Sequence, residues 1–283
     1  MYLDLCIIIN EEDRFEAWTS GNDMNAIQSK VIKIDGRDVH YYTAGEGEPL
    51  VVIHGGAGDA RSWWHNIQEL AEKYKVFAPD LPGYGTSQPL DGNYYIPEFS
   101  DFINKFTKFL HLKRFSVIGH SLGGGIALNF VLKFPGKVKK LILVSSLGLG
   151  REIALWLRLI SLPTVVKILG SLVGKIIQFA GWMLGQSNPF ELVLPISPVV
   201  VRIGTSIANF HQQSLVLEKF LPKIKVPTLL IWGGRDPVVP VKTAYRAVKE
   251  FPNARLLVFK KSGHNVHREQ LKNITHLINE FLG

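Results

Sequence analysis

The feature that most restricts the fold is an alternation. Short runs rich in Val, Ile, Leu and Phe are separated by longer segments whose apolar residues recur at helical spacing. That is the pattern of a mostly parallel sheet covered by helices. Residues 31–34 and 38–43 flank Asp35-Gly36-Arg37, which predicts a hairpin turn between two antiparallel strands. The buried run Leu50-Val51-Val52-Ile53 follows and ends at His54-Gly55-Gly56. Helices are predicted over 61–73, 98–110 and 122–134, and strands over 75–78, 115–118 and 138–145. The rhythm breaks near Leu147. From there to about Leu221 the chain carries apolar helical pieces punctuated by Pro189, Pro195 and Pro198. Strand character resumes at 226–232, followed by a helix (241–250), a strand (254–259) and a terminal helix (268–282). The reading is an α/β core of residues 30–146 and 222–283, a helical insertion at 147–221, and an N-terminal extension at 1–29. Residues 1–29 fit the alternation poorly and are expected to be loosely ordered, or to precede a true start at Met24.

Composition removes several classes. With 46% hydrophobic and 20% charged residues over 283 positions, the chain has the make-up of a globular protein rather than a disordered one. No stretch reaches the ~18 uninterrupted apolar residues of a membrane span. The first basic residue is Arg14, behind Asp4, which is not the pattern of a secretory leader. The lone Cys6 forms no internal disulfide. A soluble, cytoplasmic protein without an integral membrane segment is expected. The net charge of +8 is dispersed, with Lys137, Lys139 and Lys140 the densest group, so no nucleic-acid partner is expected.

Chemistry concentrates in Gly119-His120-Ser121-Leu122-Gly123. A Gly-x-Ser-x-Gly between a predicted strand and a predicted helix permits a sharp turn that lifts a serine hydroxyl out of the backbone. Serine is a weak nucleophile at neutral pH and needs a base held by a third group. Asp236 and His264 follow the last two predicted strands, 28 residues apart, which leaves room for one helix and one strand between them. All three then lie beyond the carboxyl ends of parallel strands, where open α/β sheets place their sites. The expected roles are Ser121 as nucleophile, His264 as base and Asp236 as the group that orients it. Gly56 and Leu122 are the expected oxyanion donors, with Ala57 in reserve. His54 is an alternative base, but its place beside the Gly-Gly turn favours bracing that loop. His267 raises a metal option three residues after His264, yet no third ligand accompanies it at suitable spacing, and neither metal nor cofactor is expected.

These segments resemble the α/β-hydrolase superfamily from about Val31 to Leu282. The matching pieces are His54-Gly55-Gly56, Asp80-Leu81-Pro82-Gly83-Tyr84-Gly85-Thr86-Ser87, Gly119-His120-Ser121-Leu122-Gly123-Gly124, Trp232-Gly233-Gly234-Arg235-Asp236-Pro237 and Ser262-Gly263-His264. The resemblance implies a mostly parallel eight-stranded sheet flanked by helices, with residues 147–221 as an inserted helical cap. It also implies a Ser-His-Asp triad and is poorly specific for substrate; a small-molecule ester or acyl substrate is the expectation. Ser121 stands where haloalkane dehalogenases and epoxide hydrolases carry aspartate. Enzymes that hydrolyse carbon–carbon bonds in ring-fission diketones share the size and cap position but usually carry tryptophan where Asn265 follows His264. Ester hydrolysis is therefore the leading expectation. Carbon–carbon hydrolysis, cofactor-free perhydrolysis and a non-catalytic ligand receptor are the competitors.

Overall fold

The computed structural model describes residues 6–9, 26–92, 94–154, 158, 213 and 215–283. Most of the expected cap therefore lies outside the described residues, including its apolar Leu155, Trp156, Leu159, Phe179, Trp182, Met183 and Phe190.

The strands are β1 (Cys6–Ile9), β2 (Gln28–Ile34), β3 (Arg37–Ala44), β4 (Glu48–Ile53), β5 (Tyr74–Pro79), β6 (Phe115–His120), β7 (Val138–Val144), β8 (Thr228–Gly233) and β9 (Ala254–Phe259). They form one sheet in the order β1-β9-β8-β7-β6-β4-β5-β3-β2. Pairing is parallel from β1 through to β5 and antiparallel where β3 joins β5 and β2 joins β3. The hairpin turns over Asp35 and Gly36, both at positive φ, so that Ile34 opposes Arg37.

Nine strands replace the eight expected, and the extra one comes from the segment expected to be loosely ordered. Cys6–Ile9 is a short apolar run that pairs in parallel with β9, Cys6 opposite Leu256 and Ile9 opposite Phe259. The physical reason is the open edge of β9, whose unpaired peptide groups need a partner. β2 also begins inside the expected extension, at Gln28.

The helices are α1 (Trp64–Leu70), α2 (Ile96–Phe109), α3 (Leu122–Lys133), α4 (Lys242–Glu250), α5 (Val266–Glu269) and α6 (Leu271–Leu282). Strand alternation divides the core between them. Val51, Ile53, Val117, Leu143, Leu230 and Trp232 pack with α2, α3 and α4 on one face of the sheet. Leu50, Val52, Ile118, Val144, Ile231 and Phe259 pack with α1 and α6 on the other. In α2 the residues Phe99, Phe102, Ile103 and Phe106 form the buried stripe that helical spacing demands. The predicted helix over 61–73 is shorter, a single 3₁₀ turn at Ala60–Trp63 leading into α1. The predicted terminal helix is broken at Gln270, whose backbone leaves the helical region.

The ends of the insertion are tied to the core. Gln213 accepts from the Gly148 N–H at 2.7 Å and donates to the Glu152 carbonyl at 2.9 Å. Glu152 is held by the Arg246 guanidinium, which also pulls its carboxyl down to about 2. Among the described residues no helix is long and apolar enough to cross a membrane.

Deleting residues 1–9 reopens the β9 edge. The melting temperature is expected to fall, by about 2–4 °C for each kcal/mol lost, and β9 amides to exchange faster. Unchanged melting and exchange would show that β1 contributes nothing to the fold.

Candidate active site

The turn from β6 into α3 is built on close backbone approach. A Cβ at Gly119 would lie 2.2 Å from the Gly123 carbonyl oxygen, and one at Gly123 would lie 2.3 Å from that of Ile53. With no side chain at either place, the chain reverses direction at Ser121, which sits at φ 51° and ψ −113°. Such a conformation costs a non-glycine residue on the order of 1–3 kcal/mol and persists only where its surroundings enforce it. Here they do: the Ser121 N–H donates to Val144, and the Ser121 carbonyl accepts from Gly125 and Leu147.

The loops after β8 and β9 are joined in the same way. Gly234 donates to Phe259 at 2.8 Å and Arg235 to Ser262 at 2.9 Å. Asp236 is buried and accepts from the Val238 and Val239 N–H groups at 2.8 and 2.9 Å through one carboxyl oxygen. Its other oxygen lies 2.8 Å from His264 Nδ1. A carboxylate only accepts, so Nδ1 carries the proton and Nε2 is left as the basic atom. Trp232 braces this turn, its indole N–H donating to the Val239 carbonyl at 2.9 Å.

Ser121 and His264 line one cavity of about 450 Å³, together with Gly56, Ala57, His120, Arg235, Pro237, Val238, Lys261, Gly263, Asn265 and Glu269. Among the described residues no hydrogen bond joins Ser121 to His264; they share the cavity rather than a direct contact. Gly56 packs against Leu122, whose side chain would lie 3.6 Å from a Cβ on that glycine. Leu122 is the first residue of α3, so its N–H has no partner within the helix. All five predicted site residues thus come to one edge of the sheet.

His54 is spent on the loop. Its Nδ1–H donates to the Gly55 carbonyl at 2.8 Å and its Nε2 accepts from the Leu81 N–H at 2.9 Å, while full burial pushes its pKa down. His267 is fully buried and stacks on Trp63 with ring centroids 4.3 Å apart. Burial, then the neighbouring Arg268 and His264, pull its pKa to about 3.

Two further groups had no role in the sequence reading. Asp80 joins the loops after β4 and β5, taking N–H bonds from Ala60 at 2.9 Å and Thr86 at 3.2 Å, and the His40 ring at 2.8 Å. Gly85 approaches that carboxyl too closely for any side chain, a Cβ there meeting it at 2.0 Å. A buried aspartate beside a Gly-rich turn was the available signal. His120, inside the motif, reaches the loop that carries His264.

Comparison with known proteins agrees with this architecture. The family model described as alpha/beta hydrolase fold matches residues 48–162 and 205–270. The chain belongs to the alpha/beta hydrolase family. An uncharacterized protein of Mycobacterium tuberculosis is 30% identical over 275 residues, covering 87% of this chain and 80% of that protein. The 2-hydroxy-6-oxo-2,4-heptadienoate hydrolase of Pseudomonas putida is 26% identical, covering 92% of this chain and 98% of the relative. A putative lipase from Acinetobacter baumannii shares the fold with a TM-score of 0.73 at 24% identity, covering 90% of this chain and 91% of the other.

His267 gives the site a pH-dependent foundation. Its folded pKa lies below the ordinary histidine value of 6.5, so the unfolded chain binds the extra proton first. Stability is therefore full above pH 6.5 and declines as pH falls towards about 3, by up to ~1.4 kcal/mol per pH unit for this group. Urea unfolding at pH 7.5, 6 and 5 is expected to show a shallower decline in His267→Phe, which keeps a ring against Trp63. An unchanged slope would contradict the assignment.

Proposed function

We propose that this hydrolase cleaves a carboxylic ester through an acyl-enzyme, with Ser121 as nucleophile, His264 as base and Asp236 as its orienting partner. The observation that carries the reading is the convergence on one cavity of the strained Ser121, the Asp236-bound His264 and Gly56. His264 Nε2 removes the Ser121 Oγ proton as Oγ attacks the ester carbonyl. The oxyanion takes hydrogen bonds from the Gly56 and Leu122 N–H groups, each worth ~2.7–4 kcal/mol in comparable sites. Collapse expels the alcohol with the proton held by His264, and water then attacks the acyl carbon by the same route. Asp236 keeps the proton on Nδ1 and offsets the imidazolium charge. No metal or organic cofactor enters these steps.

The insertion at 147–221 is read as the cap over this cavity. Its place in the chain, leaving the carboxyl end of β7 on the way to β8, supports that reading. The second reading is carbon–carbon hydrolysis of a vinylogous ring-fission diketone. It is favoured by the activity in the name of the Pseudomonas relative and calls on the same three residues.

A panel of short p-nitrophenyl esters, lactones and a ring-fission diketone, with product identification, separates the readings. Esters are expected to turn over best. Ser121→Ala is expected to lower kcat by on the order of 10⁴–10⁶, and Asp236→Asn by about 10⁴. Faster turnover of the diketone would select the second reading, and a fully active Ser121→Ala would reject both.

A further inference from the structure

We infer that His120, the residue before the proposed nucleophile, is the positioning residue that holds the His264 loop over Ser121; this rests on the reading of those two residues given above. The need for such a tie follows from the sheet. β6 and β9 are separated by β8 and β7, which at the usual strand spacing sets them about 14 Å apart. The register runs His120 to Val144, Val144 to Ile231 and Ile231 to Leu257. His264 lies well beyond Leu257 in sequence, so its loop must lean back across the ends of β8 and β7 to share a cavity with Ser121. The sheet alone does not bring the two together.

Among the described residues, one hydrogen bond directly joins the turn at 119–122 to the loop at 260–267: His120 Nε2 lies 3.0 Å from the His264 carbonyl oxygen. A carbonyl accepts only, so Nε2 carries the proton. Nδ1 is then bare and lies against Gly55, where a Cβ would come within 2.7 Å of it. The ring is held by its neighbours, with centroids 4.8 Å from His264 and 4.4 Å from His267. Burial, then the two neighbouring histidines, keep His120 uncharged far below the usual range. A neutral ring has a single N–H, and here that N–H is committed to the base loop. It also adds no positive charge beside His264 when that residue holds the Ser121 proton.

The test compares His120→Leu, which fills similar space without a donor, with His120→Gln, whose side-chain N–H reaches as far as Nε2. The readouts are kcat and KM for p-nitrophenyl butyrate, the rate of fluorophosphonate labelling of Ser121, and the melting temperature. His120→Leu is expected to lower kcat and labelling rate on the order of 100-fold, as for a displaced catalytic group, with KM little changed. His120→Gln is expected to recover most of that loss at a similar melting temperature. If the leucine variant does not fold, His120→Met takes its place. Equal rates in the leucine and glutamine variants, a leucine variant as fast as wild type, or a loss carried by KM would overturn the assignment while wild type still labels. If wild type takes no label at Ser121 and Ser121→Ala keeps its turnover, the reading of Ser121 itself fails and this inference with it.

Discussion

The structure depends on one close approach, the packing of the β6–α3 turn against the end of β4. Gly123 lies so near the Ile53 and His54 carbonyls that a methyl group there would collide with both. That contact pins α3 to the sheet, fixes where β6 must stop, and leaves Ser121 in a left-handed conformation at the point of reversal. Gly56, at the other end of the same contact, is set beside Leu122. The proposed nucleophile and the two N–H groups proposed as its oxyanion donors are thus set side by side by backbone packing before any side-chain chemistry is considered. The strain stored at Ser121 is offset by the buried strands on either side, where each fully buried Leu, Ile, Val or Phe contributes roughly 1.5–3 kcal/mol.

The surroundings of His264 are uneven in charge. His264 has an acid on one side and a run of neutral rings on the other: Asp236 at Nδ1, then His120 tilted against it, His267 tilted against His120, and Trp63 stacked on His267. Burial removes the charge from His120 and His267, so that Asp236 is the one charged group among these neighbours of His264. The arrangement costs acid stability and leaves His264 beside rings that stay uncharged at neutral pH.

Much of this was legible in the residues. The two-sided burial of β4 and the 3.6 period of α2 are written in the unbroken apolar run Leu50–Ile53 and in Phe99, Phe102, Ile103 and Phe106, because the strand is covered on both faces and the helix on one. That Ser121, Asp236 and His264 come to one edge was legible because strand-end residues of a parallel sheet share it. The ninth strand was not, since Cys6–Ile9 is only four residues long and its reason for being a strand is the distant edge of β9. The Asp80 and His120 contacts were hidden for the same cause: their partners are 40 and 144 positions away, and no local pattern encodes a bond across that separation.

Gln213 has a consequence for how such a chain can change. One amide side chain spans the two roots of the insertion, joining Gly148 and Glu152 from the returning strand of chain. The roots are thereby closed into a fixed anchor whose geometry is independent of the intervening length. The entropy of closing a loop grows only slowly with the number of residues. A chain joined across Gly148, Glu152 and Gln213 can therefore take insertions or deletions between these points at little entropic cost, the edge that carries Ser121 and His264 staying as it is.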